Sequence, residues 1–379
     1  MKVIYKIVLY CIKFIVKIIK FPKLKKDISS AQKEIDEKYR PQQMWSDNDL
    51  IFFHNVMKYD LSLIIPVYNS QSYLEQCIFS LVNQVTQYKY QLIFVNDGSK
   101  DDSLKILKKY EEKYNFIKVI TQVNSGVSVA RNTGISNSEG VYIGFIDADD
   151  YINDNYIQVL LSKAYENNCD MVKGSYYEVR NENLREIHFG NKYIDCNTNR
   201  DELYLVKGHP WGSVIKRELF KKVRFPVGYW YEDMIMRFLI ISQCNNVQLV
   251  DECLYFYRIV NNSLSRKKTN SYKCLEQYYL LKHIIEKYEE MKLKKDELYY
   301  KNILNEIGPV LWLRTRNLDK QTQKNIFLLA CNLESKYDKE YKKLDLNFVQ
   351  SYIAKSLRNR DYYLWYLISI YYMIKEKYL

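Results

Sequence analysis

The chain has 379 residues, 47 % of them hydrophobic, and a net charge of +12. That length and apolar content allow one large α/β domain plus an accessory region and exclude a disordered chain. The charge is segregated, with 11 basic and 4 acidic side chains over residues 1–40, 22 and 14 over 267–379, and 24 and 27 in between. A nucleic-acid enzyme is expected to gather positive charge around its active centre, so basic ends around a mildly acidic middle point to an anionic membrane surface instead.

Residues 1–20 are apolar but broken by lysines too often for a spanning helix. No small-residue cleavage site follows. At about 100° per residue, Lys2, Lys6, Lys13, Lys17 and Lys20 fall within an arc of roughly 60° and the rest of the circumference is apolar. That pattern predicts residues 1–26 as an amphipathic helix lying in a membrane interface; the alternative is a helix docked on the protein's own surface. Residues 27–60 read as a helix and a linker.

From Leu61 the pattern becomes regular. Strands are predicted at 61–67, 90–95, 116–121 and 141–146, with helices at 70–83, from Asp101 or Asp102 through Tyr110, and at 127–136. Strand–helix alternation at this pitch means βαβ units and a parallel sheet. Beyond 154 a helix (156–166) precedes β-like stretches at 170–179, 186–194 and 211–215. A helix is expected from Glu232 to Gln243, then strands near 247–250 and 253–259. From about 270 the spacing is helical. The closing aromatic run 362–374 is too short to span a bilayer and suits either an interfacial patch or a buried terminal helix. The eight scattered cysteines form no C-x-x-C pair and read as free thiols.

The informative stretch is the fourth strand, which ends in Asp147-Ala148-Asp149-Asp150. On an extended backbone Asp147 and Asp149 point to the same side. Paired hard oxygen ligands suit Mg²⁺ or Mn²⁺ together with substrate phosphates. A strand end followed by an Asp150 or Asp154 helix cap is the plainer reading. The other strand ends favour the ligand site, because in open α/β sheets ligands lie at that edge. Pro66-Val67-Tyr68-Asn69 follows the first strand, and Asn96-Asp97-Gly98-Ser99 the second. Asn124-Ser125-Gly126 follows the third and opens a helix bearing Arg131, a residue type suited to phosphate.

Together the P-V-Y-N and N-D-G-S turns, the N-x-G-x-x-x-A-R-N-x-G run and D-A-D resemble the family 2 glycosyltransferases. The likeness covers roughly residues 61–266 by motif placement. It implies a GT-A fold, α/β with a mostly parallel sheet, and inverting, divalent-metal-dependent transfer from a nucleotide-sugar. Pro66, Tyr68 and Asp97 would line the nucleobase pocket, Asp147 would face the ribose or metal, and Asp149 would hold the metal. Glu232-Asp233 resembles the family's E-D element, which implies Asp233 as the base for the acceptor hydroxyl and Glu232 beside it; acids favouring a helix N-terminus are the plain alternative. Trp211-Gly212 resembles an acceptor-side element whose aromatic face packs on a sugar. His209 reads as structural. Ser213 and Val260 stand where basic residues are common, so Arg258 or Arg266 is expected to take over the diphosphate contact.

These observations predict an amphipathic helix (1–26), a linker (27–60), a GT-A domain (61–266) and a helical C-terminal region (267–379). The expected task is transfer, from a UDP-sugar, to a lipid-linked oligosaccharide or other glycan in surface polysaccharide synthesis. The expected place is the cytoplasmic face of a membrane, with no nucleic-acid partner. A nucleotidyltransferase, or a non-catalytic carbohydrate-binding module, is the alternative; the first lacks its glycine- and lysine/arginine-rich loop here, and the second would not need Asp149 and Asp233 together.

Overall fold

The computed structural model describes residues 2–41, 57–181, 183–260 and 271–378. The chain divides into two compact units. One is helical and gathers residues 1–42, 229–231 and 268–379; the other is α/β and comprises 43–228 and 232–267.

The helical unit begins with α1 (Lys2–Ile18) and α2 (Ile28–Lys38). Asp27 starts α2 by accepting from the Ser30 amide, and the helix buries Ala31 and Ile35 completely. Part of the expected linker is therefore a packed helix; residues 42–56 lie outside the described residues.

The α/β unit opens with β1 (Tyr59–Val67), α3 (Gln71–Val82), β2 (Tyr90–Asp97), α4 (Ser103–Lys113), β3 (Ile117–Gln122), α5 (Val127–Ser136) and β4 (Gly140–Phe145). These strands pair in the order β3-β2-β1-β4, all parallel. Near-continuous apolar strands must be covered on both faces, and the crossover helices supply the covers. On α3 the covering face is Leu74, Cys77, Ile78 and Leu81, all fully buried. Burying a side chain of that size stabilises by roughly 1.5–3 kcal/mol. Gly134 sets how closely α5 approaches β1, since a Cβ there would lie 2.3 Å from Ile64 Cγ2. A larger residue would push the helix off the sheet, and with it Arg131.

The sheet continues through β5 (Tyr151–Ile152), β6 (Met171–Arg180), β7 (Asn183–Ile187), β8 (Lys192–Asp195), β9 (Ser213–Lys216) and β10 (Asn246–Arg258), with α6 (Tyr156–Glu166) between β5 and β6. The order runs on as β4-β9-β6-β10-β5. Here β9 is antiparallel to both neighbours while β6 and β10 are parallel. The β-like stretch expected at 186–194 resolves into β7 and β8. The two strands expected at 247–259 are one strand, β10, with register shifts between Val250 and Tyr255.

The helix expected from Glu232 to Gln243 begins at Met234 and is α-helical only over Met234 and Ile235. Glu232 and Asp233 form a turn, and a π-helical run (Met236–Ile240) and a 3₁₀ turn (Ile241–Gln243) follow. Met236, Phe238, Leu239 and Ile240 are all buried. With so many consecutive residues inward, this helical run is covered on nearly every side.

The helical unit resumes with α7 (Glu276–Glu290), α8 (Glu297–Asn305), α9 (Leu311–Thr315), α10 (Lys320–Ser335), α11 (Asp338–Tyr341), α12 (Phe348–Arg358) and α13 (Tyr362–Tyr378). The closing aromatic run is α13, and it is mostly core. Trp365 and Ile368 are fully buried, and the Trp365 indole N–H donates to the Ile307 carbonyl at 3.2 Å. Helix α1 packs along α13 with Leu9, Ile12 and Val16 buried. Among the described residues no helix is long and apolar enough to cross a membrane.

Residues 229–231 belong to the helical unit although both flanking segments are α/β. The Trp230 amide donates to Glu276 at 2.6 Å, and the Tyr39 hydroxyl donates to the other Glu276 oxygen. Tyr229 sets its ring edge-on to His283. The Arg314 guanidinium lies 3.4 Å from the centre of the Tyr231 ring. Tyr231 has φ +68°, a left-handed conformation uncommon for so bulky a residue.

Candidate active site

The loops at the carboxyl ends of β1, β2 and β3 are bonded to one another. Asn69 accepts from the Lys100 amide at 2.8 Å, and its own amide donates to Ser99. The Gln71 amide donates to Asp101 at 3.1 Å. Gly98, at φ +70°, makes the turn that brings β2 against the next loop, where a Cβ would meet the Asn124 nitrogen at 2.8 Å. Asp97 is buried and accepts from the Ser125 amide at 2.9 Å, the Gly126 amide at 2.8 Å and the Gln122 side chain at 2.8 Å. Its carboxylate thus shapes the loop that opens α5. Tyr68 is 46 % exposed at the same edge, next to Pro66-Val67 at the end of β1.

The acids after β4 divide by environment. Asp150 is fully buried and accepts from the Tyr255 hydroxyl and the Arg258 amide, both at 2.7 Å. It ties the end of β4 to β10 and caps no helix; the residue before α6 is Asn155, without a side-chain capping bond. Burial, then the charges of Asp147 and Asp149, raise the Asp150 carboxyl well above the ordinary range. Asp149 is partly buried, and burial followed by the charge of Asp147 pushes it up to about 6. Arg258 lies beside this turn. Its guanidinium donates to the Asp149 carbonyl and to Gln76, between the rings of Tyr73 at 5.2 Å and Tyr151 at 4.7 Å. Arg266 falls outside the described residues.

Arg131 joins the parts. One guanidinium nitrogen lies 3.1 Å from Asp147 and another 2.9 Å from Glu232, and the side chain is 5 % exposed. Burial works against its charge, but Asp147 and Glu232 outweigh burial and hold its pKa above the ordinary value. Asn132 exchanges hydrogen bonds with the backbone of Phe225, 2.9 Å each way, and the Arg131 guanidinium lies 5.2 Å over the Phe225 ring. The A-R-N tripeptide of α5 therefore pins both the acid turn after β4 and the segment leading to Glu232. Arg131, expected to face phosphate, is committed to two carboxylates instead. Asp233, next in the chain, is exposed.

Trp211 corrects another expectation. It is 8 % exposed. His209, Tyr255 and Tyr257 stack on it with ring centres at 3.6, 4.6 and 5.1 Å, so no ring face is open to a sugar. Beneath them the fully buried Lys173 donates to the carbonyls of His209 and Trp211 at 3.0 and 2.9 Å, and burial lowers its pKa well below the ordinary range. His209 is packed into this stack, and burial and then Lys173 hold its pKa well down. Lys173 was missed because its partners are main-chain carbonyls, which leave no mark in a sequence.

Among the described residues no three Asp, Glu, His or Cys side chains converge to cage a cation. Mg²⁺ commonly needs only one or two carboxylates beside water and substrate phosphates. Asp149 and Asp147 fit that smaller set: they are hard oxygen donors, close enough for one charge to raise the pKa of the other group.

Residues 62–228 match the family model described as glycosyl transferase family 2. Over 225 residues the chain is 34 % identical to glycosyltransferase GlyA of Streptococcus pneumoniae, covering 56 % of this chain and 32 % of GlyA. It is 34 % identical over 223 residues to the minor teichoic acid biosynthesis protein GgaB of Bacillus subtilis, covering 56 % of this chain and 24 % of GgaB. The match thus spans less than two thirds of the length of these relatives. Among solved structures, S. aureus TarS 1–349 in complex with UDP-GlcNAc aligns with a TM-score of 0.69 at 18 % identity, over 83 % of this chain and 91 % of that one. That likeness identifies the fold as GT-A.

Proposed function

We propose that this chain, which belongs to glycosyltransferase family 2 through residues 62–228, transfers a sugar with inversion from a UDP-sugar to a glycan acceptor, in the assembly of a surface polysaccharide or teichoic acid. One observation carries the reading: Arg131 salt-bridges Asp147 and Glu232 together. It brings the E-D element beside the acid edge of the sheet, where a donor diphosphate would lie. The UDP-GlcNAc complex of TarS and the teichoic-acid role of GgaB support the donor class and the setting.

In this mechanism Tyr68 and Pro66 flank the nucleobase, and Asp97 orders the loop that receives it. A divalent cation, Mg²⁺ or Mn²⁺, bound through Asp149 and Asp147 would supply Lewis-acid stabilisation of the leaving diphosphate. Asp233 takes the proton of the acceptor hydroxyl as its oxygen attacks the anomeric carbon opposite the diphosphate, and that geometry inverts the configuration. Such a base is worth about 10²–10⁴ in rate. Arg131 holds Glu232, and with it the neighbouring base, in register with the donor edge.

The test is product analysis. A panel of UDP-sugars, each with Mn²⁺ and a glycan acceptor, should release UDP. Release of pyrophosphate from nucleoside triphosphate and sugar phosphate would instead make the protein a nucleotidyltransferase. Binding of UDP-sugars with no turnover on any acceptor would favour the binding-module reading.

A further inference from the structure

Helix α1 has three faces rather than two. Leu9, Ile12 and Val16 are 6, 6 and 2 % exposed and pack within the helical unit along α13. Beside them runs the lysine stripe, Lys6, Lys13 and Lys17, with the Lys13 ammonium 5.1 and 5.7 Å over the rings of Phe348 and Tyr371. The third face is apolar and open. Ile7, Tyr10, Phe14 and Ile18 are 57, 73, 59 and 62 % exposed. Their spacing of three, four and four residues makes one continuous stripe, spanning about 80° of the helix. Just past the helix, Phe21 sets its ring 6.4 Å from Tyr363, itself exposed on α13.

A helix docked by one apolar face ordinarily turns polar residues to water. This one leaves a second apolar face bare and flanks it with cations. No acidic residue occurs before Asp27. We infer that the open face of α1 lies in the interface of an anionic bilayer, with Phe14, Ile18, Tyr10 and Ile7 among the upper acyl chains and the lysines against lipid phosphates. The charge decides between occupants. A symmetric contact with a second copy would set lysine stripe near lysine stripe, whereas a leaflet of anionic lipid complements it. With the nucleotide-sugar donor proposed above, the bilayer would be the cytoplasmic leaflet beside the nucleotide-sugar pool. Given the glycosyl transfer proposed above, the acceptor would be lipid-borne.

The experiment needs no turnover. The full chain is sedimented with sucrose-loaded vesicles of phosphatidylglycerol and phosphatidylcholine, with pure phosphatidylcholine as reference. Binding to the anionic vesicles is expected to exceed the reference and to weaken as salt rises. Replacing Phe14→Glu and Ile18→Glu together should lower the vesicle partition at least about tenfold, since two apolar side chains lose their burial. The melting temperature should not change, because both side chains are exposed. Lys6→Gln with Lys17→Gln should flatten the salt dependence. Undiminished binding by the Glu variant, or equal binding to both lipids, would overturn the proposal. So would a concentration-dependent dimer that the Glu variant abolishes, which would make the face a self-association surface. UDP affinity, measured on the same samples, reports on the donor site separately, so the failure of either reading is distinguishable from the failure of the other.

Discussion

The acid edge of the α/β unit and the first helix of the helical unit break opposite rules. At the edge, carboxylates lie side by side, and burial and the charge of Asp147 push Asp149 up to about 6. On α1, large apolar side chains stand in water. Each arrangement is costly in the isolated chain. The proposals above give each a partner of complementary character: cation and diphosphate for the first, lipid for the second. This contrast is what makes both arrangements informative.

The contrast can be broken at several points. The largest effect is expected from Asp233→Asn, which should lower UDP release by about 10²–10⁴-fold while UDP binding, measured by calorimetry, persists. Retained turnover would place the base elsewhere. In the helical unit Trp365→Ala should cost about 3–5 kcal/mol by urea unfolding, because the ring is fully buried. The folded fraction should still bind UDP; if it does not, the helical unit contributes to donor binding. Arg131→Ala leaves Asp147 and Glu232 without their shared cation and should cost about 3 kcal/mol as well as turnover. Arg131→Lys, with one ammonium in place of a fork, should recover stability in part and turnover little.

The smallest effect belongs to Asp319, the cap of α10, which accepts from the Thr322 amide at 2.9 Å and pairs with Lys38 at 2.8 Å. Partial burial opposes its charge, but the bonds from Lys38 and Thr322 prevail and hold its carboxyl well below the ordinary range. A depressed folded pKa contributes stability above the unfolded value, about 3.9, and that contribution disappears as the pH falls through the folded value. Asp319→Asn keeps a capping oxygen but loses the charge of this largely exposed pair, so it should cost about 0.5 kcal/mol at pH 7 and progressively less below pH 4, as read from melting curves across that range.

The half of the sheet that bears the site was legible in the sequence. Strands β1, β2 and β4 are buried on both faces, so each reads as a nearly unbroken apolar run, while the edge strand β3 is only partly covered, and the loops carry glycine, asparagine and aspartate for reasons local to each turn. The second half was harder. β10 is one strand, but its register shifts near Val250 and Cys253 make it read as two. The π-helical run after Asp233 is not marked by any periodicity. The role of Arg131 lay out of reach because its second partner, Glu232, is 101 residues away. Trp211 misled for the same reason, since two of the three rings covering it, Tyr255 and Tyr257, come from β10. On α1 the lysine arc was visible, but which part of the apolar circumference would dock depends on Leu9, Ile12 and Val16 meeting α13, a helix at the far end of the chain.

The three residues Tyr229, Trp230 and Tyr231 carry a consequence for how such a protein can be rearranged. The chain enters the helical unit for one short visit and leaves it at Glu232, long before it returns at residue 268. A recombination event, or an engineer, that replaced everything after 268 would remove Glu276, His283 and Arg314 and leave three aromatic residues without the groups that hold them. The helical region is thus not an appendage that can be exchanged by a single crossover. Any replacement must reproduce a socket for this tripeptide, one peptide bond upstream of the acids assigned to catalysis.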